Sequence, residues 1–119
     1  MPISDGYANG ILNHLFGGSA QAQPTEWHIA LLVGGVEVSI GGYSRVSYTG
    51  TWIVGAREVK NLGIIDMGTP SPSWGDINGV RVYDQDDNLI MTGTLDPAIP
   101  TQADIPVIFY TNELSLTIV

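Results

Sequence analysis

Apolar residues recur every four positions at the start of the chain, at Ile3, Tyr7, Ile11 and Leu15, with Ala8, Leu12 and Phe16 beside them. Wound at 3.6 residues per turn, they make an apolar face covering nearly half the circumference, more than a solvated arm carries. Ser4 can cap the first turn, Asp5 suits the helix dipole, and Gly17-Gly18 supplies a stop, so the pattern predicts one amphipathic helix over about 4–16. A lone helix has to bury such a face elsewhere. Tyr7, Ile11 and Leu15 are therefore expected to face the β core or a neighbouring subunit, and with full burial Leu15→Ala would cost about 2–5 kcal/mol.

After the small-residue connector 19–25, where Pro24 opposes any helical continuation, the period changes to two. E-W-H-I-A-L-L-V (Glu26 to Val33) reads as a largely buried strand ended by Gly34-Gly35. V-E-V-S-I (Val36 to Ile40) and Y-S-R-V-S-Y (Tyr43 to Tyr48) alternate, and Thr51 to Val54 and Val59 to Ile65 are further apolar stretches. Met67 to Ser73 carries Pro70 and Pro72 and is the clearest loop. Ile77 to Tyr83 and Leu89 to Thr94 flank the polar turn 84–88 as a β-hairpin, Leu95 to Asp104 with its prolines reads as a connection, and Ile105 to Tyr110 and Leu114 to Val119 complete the set. Turn signals about every ten residues predict a mainly β fold. The expected architecture is one domain over 1–119, a sandwich or small barrel of antiparallel strands over about 26–119 with the N-terminal helix added. No internal repeat of 20–50 residues is present.

Composition narrows the function more than the fold. Twelve acidic residues stand against four bases, Arg45, Arg57, Lys60 and Arg81, for a net charge of -8. Such a surface repels phosphate, so neither nucleic acid nor an anionic membrane is an expected partner. No segment approaches the roughly 20 apolar residues of a membrane span, and no signal-peptide pattern is visible at Met1 to Asp5. Cysteine is absent, which removes disulfides, thiolate metal sites and cysteine nucleophiles.

Among the candidates for chemistry, His14 and His28 lack the spacing of a metal site, and Gly42 to Val46 lacks the second glycine of a nucleophile elbow. Asp84-x-Asp86-x-Asn88 opens like a calcium loop, but Leu89 and Leu95 stand where the turn glycine and the bidentate glutamate belong, so a hairpin turn is expected. Trp27, Trp52 and Trp74 could make a sugar platform, although packing in the core or at an interface is the better reading beside apolar strands. The residues thus point to no catalytic group, no metal and no cofactor.

Four segments, in order, carry a family resemblance: Y-A-N-G-I-L-N-H-L-F-G-G (Tyr7 to Gly18), W-H-I-A-L-L (Trp27 to Leu32), G-G-Y-S-R-V (Gly41 to Val46), and S-W-G-D-I-N-G-V-R-V-Y-D (Ser73 to Asp84) running on to N-L-I-M-T-G-T-L (Asn88 to Leu95). Together they resemble a family of small phage virion proteins, described as tail-fibre-like or head-decoration proteins. The resemblance implies a non-enzymatic structural role in the virion. The leading expectation is a capsid decoration, or cement, protein on the outer surface of the head. It would bind the major capsid protein, as a homo-oligomer with a trimer favoured, and stabilise the assembled lattice by mass action. The alternative is a tail-tip or tail-fibre-associated module contributing to glycan receptor binding. The absence of heptads or collagen-like triplets in so short a chain favours the first. The residues expected at an interface are Tyr7, Ile11 and Leu15 on the helix, with Arg45, Arg57 and Lys60 as contacts to an acidic capsid surface.

Overall fold

In the computed structural model, which describes residues 3–18, 23–55 and 57–117, Ser4 opens the helix as its chemistry requires. Its backbone is extended and its hydroxyl accepts the amide of Tyr7 at 3.2 Å, which satisfies one of the helix's orphan donors. Helix α1 (Asp5–Leu12) runs directly into a wider π-helical turn (Asn13–Gly17), and Gly18, in the left-handed region at φ 80°, ends it. The predicted helix is therefore present, with its last turn underwound and widened.

The rest is antiparallel β structure, as the alternation predicts. The strands are β1 (Trp27–Val33), β2 (Val36–Glu37), β3 (Val46–Tyr48), β4 (Trp52–Gly55), β5 (Glu58–Asn61), β6 (Ile65–Asp66), β7 (Asp76–Tyr83), β8 (Leu89–Pro100), β9 (Ile108–Phe109) and β10 (Ser115–Thr117). One sheet runs β2-β1-β7-β8, with β3 joining β1 further along its length; a second runs β10-β5-β4; β6 and β9 form a two-stranded ladder. Gly34 and Gly35 both have positive φ between Val33 and its partner Val36, the geometry of a tight two-residue hairpin turn that side chains resist. Strand β1 is central, paired on both sides, and its inner residues Ile29 to Leu32 are fully or nearly fully buried. The core joins Ile29 and Leu31 to Ile77 and Val80 of β7, and reaches Leu114 and Leu116 near the end of the described chain.

Two expectations change. The stretch 95–104 is not all connection, because β8 continues to Pro100, with Asp76 facing Pro100 and Ile77 facing Ile99. Strand β8 lies at the sheet edge, where the missing proline N–H forfeits no ladder bond on its open side. The apolar stretch 59–65 divides between β5 and β6, which pair with different strands. The strand expected over 114–119 is seen as β10, with its last two positions, like residues 19–22 of the connector, outside the described residues.

Buried Asn61 explains why that division holds. Its side-chain NH2 donates to the carbonyls of Gly63, Phe109 and Tyr110 at 2.7, 3.2 and 3.0 Å, while its Oδ1 accepts the amide of Leu114 at 2.9 Å. One amide thus ties β5 to the segment after β9, and every polar atom of it is satisfied.

Candidate functional site

The family-like segments G-G-Y-S-R-V and S-W-G-D meet in space and form a hydrogen-bonded hub. The Trp74 indole N–H donates to the Gly41 carbonyl at 3.0 Å, and its backbone N–H donates to Thr101 Oγ1 at 2.9 Å. Gly41 has φ 65°, and a Cβ there would lie 2.6 Å from the Pro72 carbonyl oxygen, so only glycine fits. Tyr43 stands edge-on to Trp74 and donates its hydroxyl to Glu37 at 2.9 Å while accepting the amide of Leu31. Burial raises the Tyr43 pKa, with the bond to Glu37 adding to it.

Arg45 extends this hub to the hairpin turn. Its guanidinium makes a two-pronged contact with Glu37, at 3.0 Å from Nε and 2.9 Å from Nη2, and stacks 4.0 Å from the Tyr83 ring centroid. The hydrogen bonds from Arg45 outweigh desolvation and lower the Glu37 pKa. His28 bridges Asp87, at 2.9 Å from Nδ1, and Glu26, at 2.6 Å from Nε2; the bonds to Asp87 and then Glu26 raise its pKa against the opposing effect of burial. Both residues are held within the chain's own polar network.

The turn 84–88 holds the helix. Asp84 is buried, and its Oδ1 accepts the amides of Asp86 and Asn88 at 2.9 and 2.8 Å. Its Oδ2 takes the Tyr7 hydroxyl at 2.5 Å and the Asn88 side-chain amide at 3.3 Å. Burial pushes the Asp84 carboxyl up, but the bonds from Tyr7 and from the Asn88 and Asp86 amides overcome it and set its pKa below the ordinary value. Its lone pairs are spent on protein donors, so the calcium-like spacing serves an Asx-type turn. Among the described residues, no group of three or more acidic or histidine side chains is arranged to hold a metal.

Further bonds fix the base of the helix. The Ser4 amide donates to the Ile90 carbonyl at 2.6 Å, the Ser4 hydroxyl donates to the Leu89 carbonyl, and Ile3 bridges Met91 and packs on the core. The far end is different. Ile11 and Leu12 are 39% and 54% exposed, Leu15 64% and Phe16 84%. Of the stripe expected to be buried, Ile3 reaches the core and Tyr7 reaches Asp84, whereas Ile11 and Leu15 do not face the protein's own β core. They stand in solvent in the isolated chain.

A cleft of about 670 Å³ opens where the five-stranded and three-stranded sheets meet, beside Ile3. Its walls include Trp27, Trp52, Val54, Val59, Met91 and Leu116. Trp52 is edge-on to both Trp27 and Tyr48, and its buried indole N–H meets no acceptor among the described residues. Val54 on the open edge strand β4 is 76% exposed. The three tryptophans thus part company, with Trp27 and Trp52 lining the cleft and Trp74 buried in the hub.

The remaining expected contacts are not gathered at one place. Arg57 and Lys60 sit on the β4–β5 hairpin, Lys60 paired with Glu58 at 3.1 Å, and Arg57 beside Val54 in a shallow extension of the cleft. Arg45 is committed to Glu37 on the other sheet. Sequence patterning finds the helix but not the cleft, because six strands and the segment before the helix each contribute one or two wall residues.

A β-rich chain whose polar clusters tie its own loops together, and whose helix end and cleft leave apolar side chains open, has the character of a structural, assembling protein. Residues 2–117 match the family model described as Podophage GP4 fiber I protein gp80, and the chain belongs to that family of phage virion structural proteins. No curated protein matches it.

Proposed function

We propose that this chain is a non-enzymatic fibre-type subunit of the phage particle, which joins its assembly through the apolar far half of α1. The observation that carries this reading is the helix itself: four polar or backbone contacts hold its base to the sheet and its turn, yet Leu15 and Phe16 point away from the fold. Burying those side chains against another protein would supply roughly 1.5–3 kcal/mol each, while leaving them in water has no benefit to the isolated chain. The family's description as a fibre protein supports a position in a fibre.

A second reading is the capsid decoration protein bound to the major capsid protein. It is supported by a body of only 50 × 25 × 24 Å with no shaft-forming repeat. The glycan-binding variant loses one of its three aromatic candidates, since Trp74 is buried and cannot stack on a sugar. Cryo-electron microscopy of the intact particle separates the two positions. A few copies at the tail are the expected result, and hundreds of copies covering the head would replace the fibre reading with decoration.

A further inference from the structure

The exposed helix end and the open cleft are complementary in chemistry and lie on the same chain. Ile11, Leu12, Leu15 and Phe16 form a ridge at the i, i+4 spacing by which an amphipathic helix reads an apolar groove. The cleft has the size of sites that enclose a compact apolar body, about 300–1,000 Å³. No residue from 5 to 18 lines it, so a chain does not fill its own cleft with its own helix. The helix leaves the cleft's edge just after Ile3 and leads from Asp5 to Phe16, eleven residues on and roughly 15 Å along the axis.

Charge identifies the occupant as a second copy. Two copies each carrying -8 repel unless they meet through surfaces without carboxylates. Residues 6–18 contain no Asp, Glu, Lys or Arg, and among the described residues none that lines the main cleft is charged, Arg57 and Glu58 standing only in its extension. These two uncharged surfaces are therefore where like-charged copies can approach closely. We infer that the helix end of one copy seats in the Trp27–Trp52 cleft of the next, a head-to-tail contact between identical chains. Such a contact is heterologous, and it builds a closed ring or an open filament according to whether its rotation closes. It rests on the assembly role proposed above for the helix end and names what that end meets, whatever the chain's position in the particle.

The test uses the purified full chain and two substitutions at exposed positions, Phe16→Asp on the helix and Val54→Asp at the cleft. Sedimentation of the unsubstituted chain should show concentration-dependent oligomers. Each substitution alone should weaken self-association at least about thirtyfold, the scale of losing one interface anchor. Mixed one to one, the two variants should form a dimer and nothing larger, because one retains a good helix and the other a good cleft. The absence of native cysteine permits a second readout: oxidising a mixture of Phe16→Cys and Val54→Cys chains should give the 16–54 disulfide dimer. A monomer at every concentration would overturn the inference. So would loss of assembly in Phe16→Asp with none in Val54→Asp, which would mean that helices meet helices.

Discussion

Trp74 and Phe16 are both large aromatic residues beside glycine, in segments of similar composition, yet they end in opposite surroundings. Both N–H groups of Trp74 are bonded inside the chain, to Thr101 and Gly41, and its ring packs against Tyr43. Phe16 has the πhelical turn beneath it and solvent around it. The difference teaches what each segment is for. Around Trp74 the chain spends its polar groups on itself, and the result is a rigid body; at the helix end it withholds burial, and the result is a surface that gains only when something covers it.

The comparison breaks first at the hub. Trp74→Ala should destabilise the chain by about 3–5 kcal/mol, since it removes a buried ring and one of the two donors to the Gly41 carbonyl, and urea unfolding reads it directly. A change below about 1 kcal/mol would mean that the hub is not the rigid part. Next comes the boundary between the two regions. Tyr7→Phe deletes the donor to the Asp84 carboxylate and should cost about 1.5–3 kcal/mol, with hydrogen exchange at the amides of α1 speeding up more than that at β1.

A smaller effect tests the polar network on the hub's flank. The His28 pKa is raised in the folded chain by Asp87 and Glu26, so the folded state holds its proton more tightly. The stabilisation is then fully present below about pH 6.5, the ordinary histidine value, and fades as pH rises through the elevated folded value. Thermal melts of the native sequence should show this decline on the alkaline side of about pH 6.5, and His28→Gln should flatten it. If both proteins gave the same slope, His28 would not be the titrating group. The smallest change is expected at the helix end, where Leu15→Ala should leave stability within about 0.5 kcal/mol of the original because the side chain is mostly exposed. The cost of about 2–5 kcal/mol that burial would imply should appear only in assembly.

What the sequence shows of this fold follows the range of the forces involved. The helix, its Ser4 cap and its Gly18 stop are local, and the hairpin turns around Gly34-Gly35 and Asp84 are set by neighbours within five residues. Patterning reads such features well. It misses the extension of β8 through two prolines, because that depends on which strand ends at the sheet edge. It also misses Asn61, whose four partners lie in Gly63, Phe109, Tyr110 and Leu114. The candidate site divides in the same way. Ile11 and Leu15 stand out by period, whereas Val54, Val59 and Leu116 look like ordinary strand residues until two sheets bring them to one cleft. Arg45 stands out by charge, and the fold uses that charge at home.

Strand β8 adds a mechanical consequence. Its first residues, Leu89 and Ile90, hold the base of the helix, and Thr101, just past its last residue, holds Trp74. Those anchors stand at opposite ends of its pairing with the eight residues of β7, about 25 Å apart, because β8 bulges between Thr94 and Ile99. A pull on the helix is thus delivered along β8 in the direction of the strand, where the cross-strand bonds to β7 share the load in shear instead of parting one at a time. Stretched from its helix in a single-molecule experiment, the protein should yield at higher force than when the β4–β5 hairpin is pulled open from its turn.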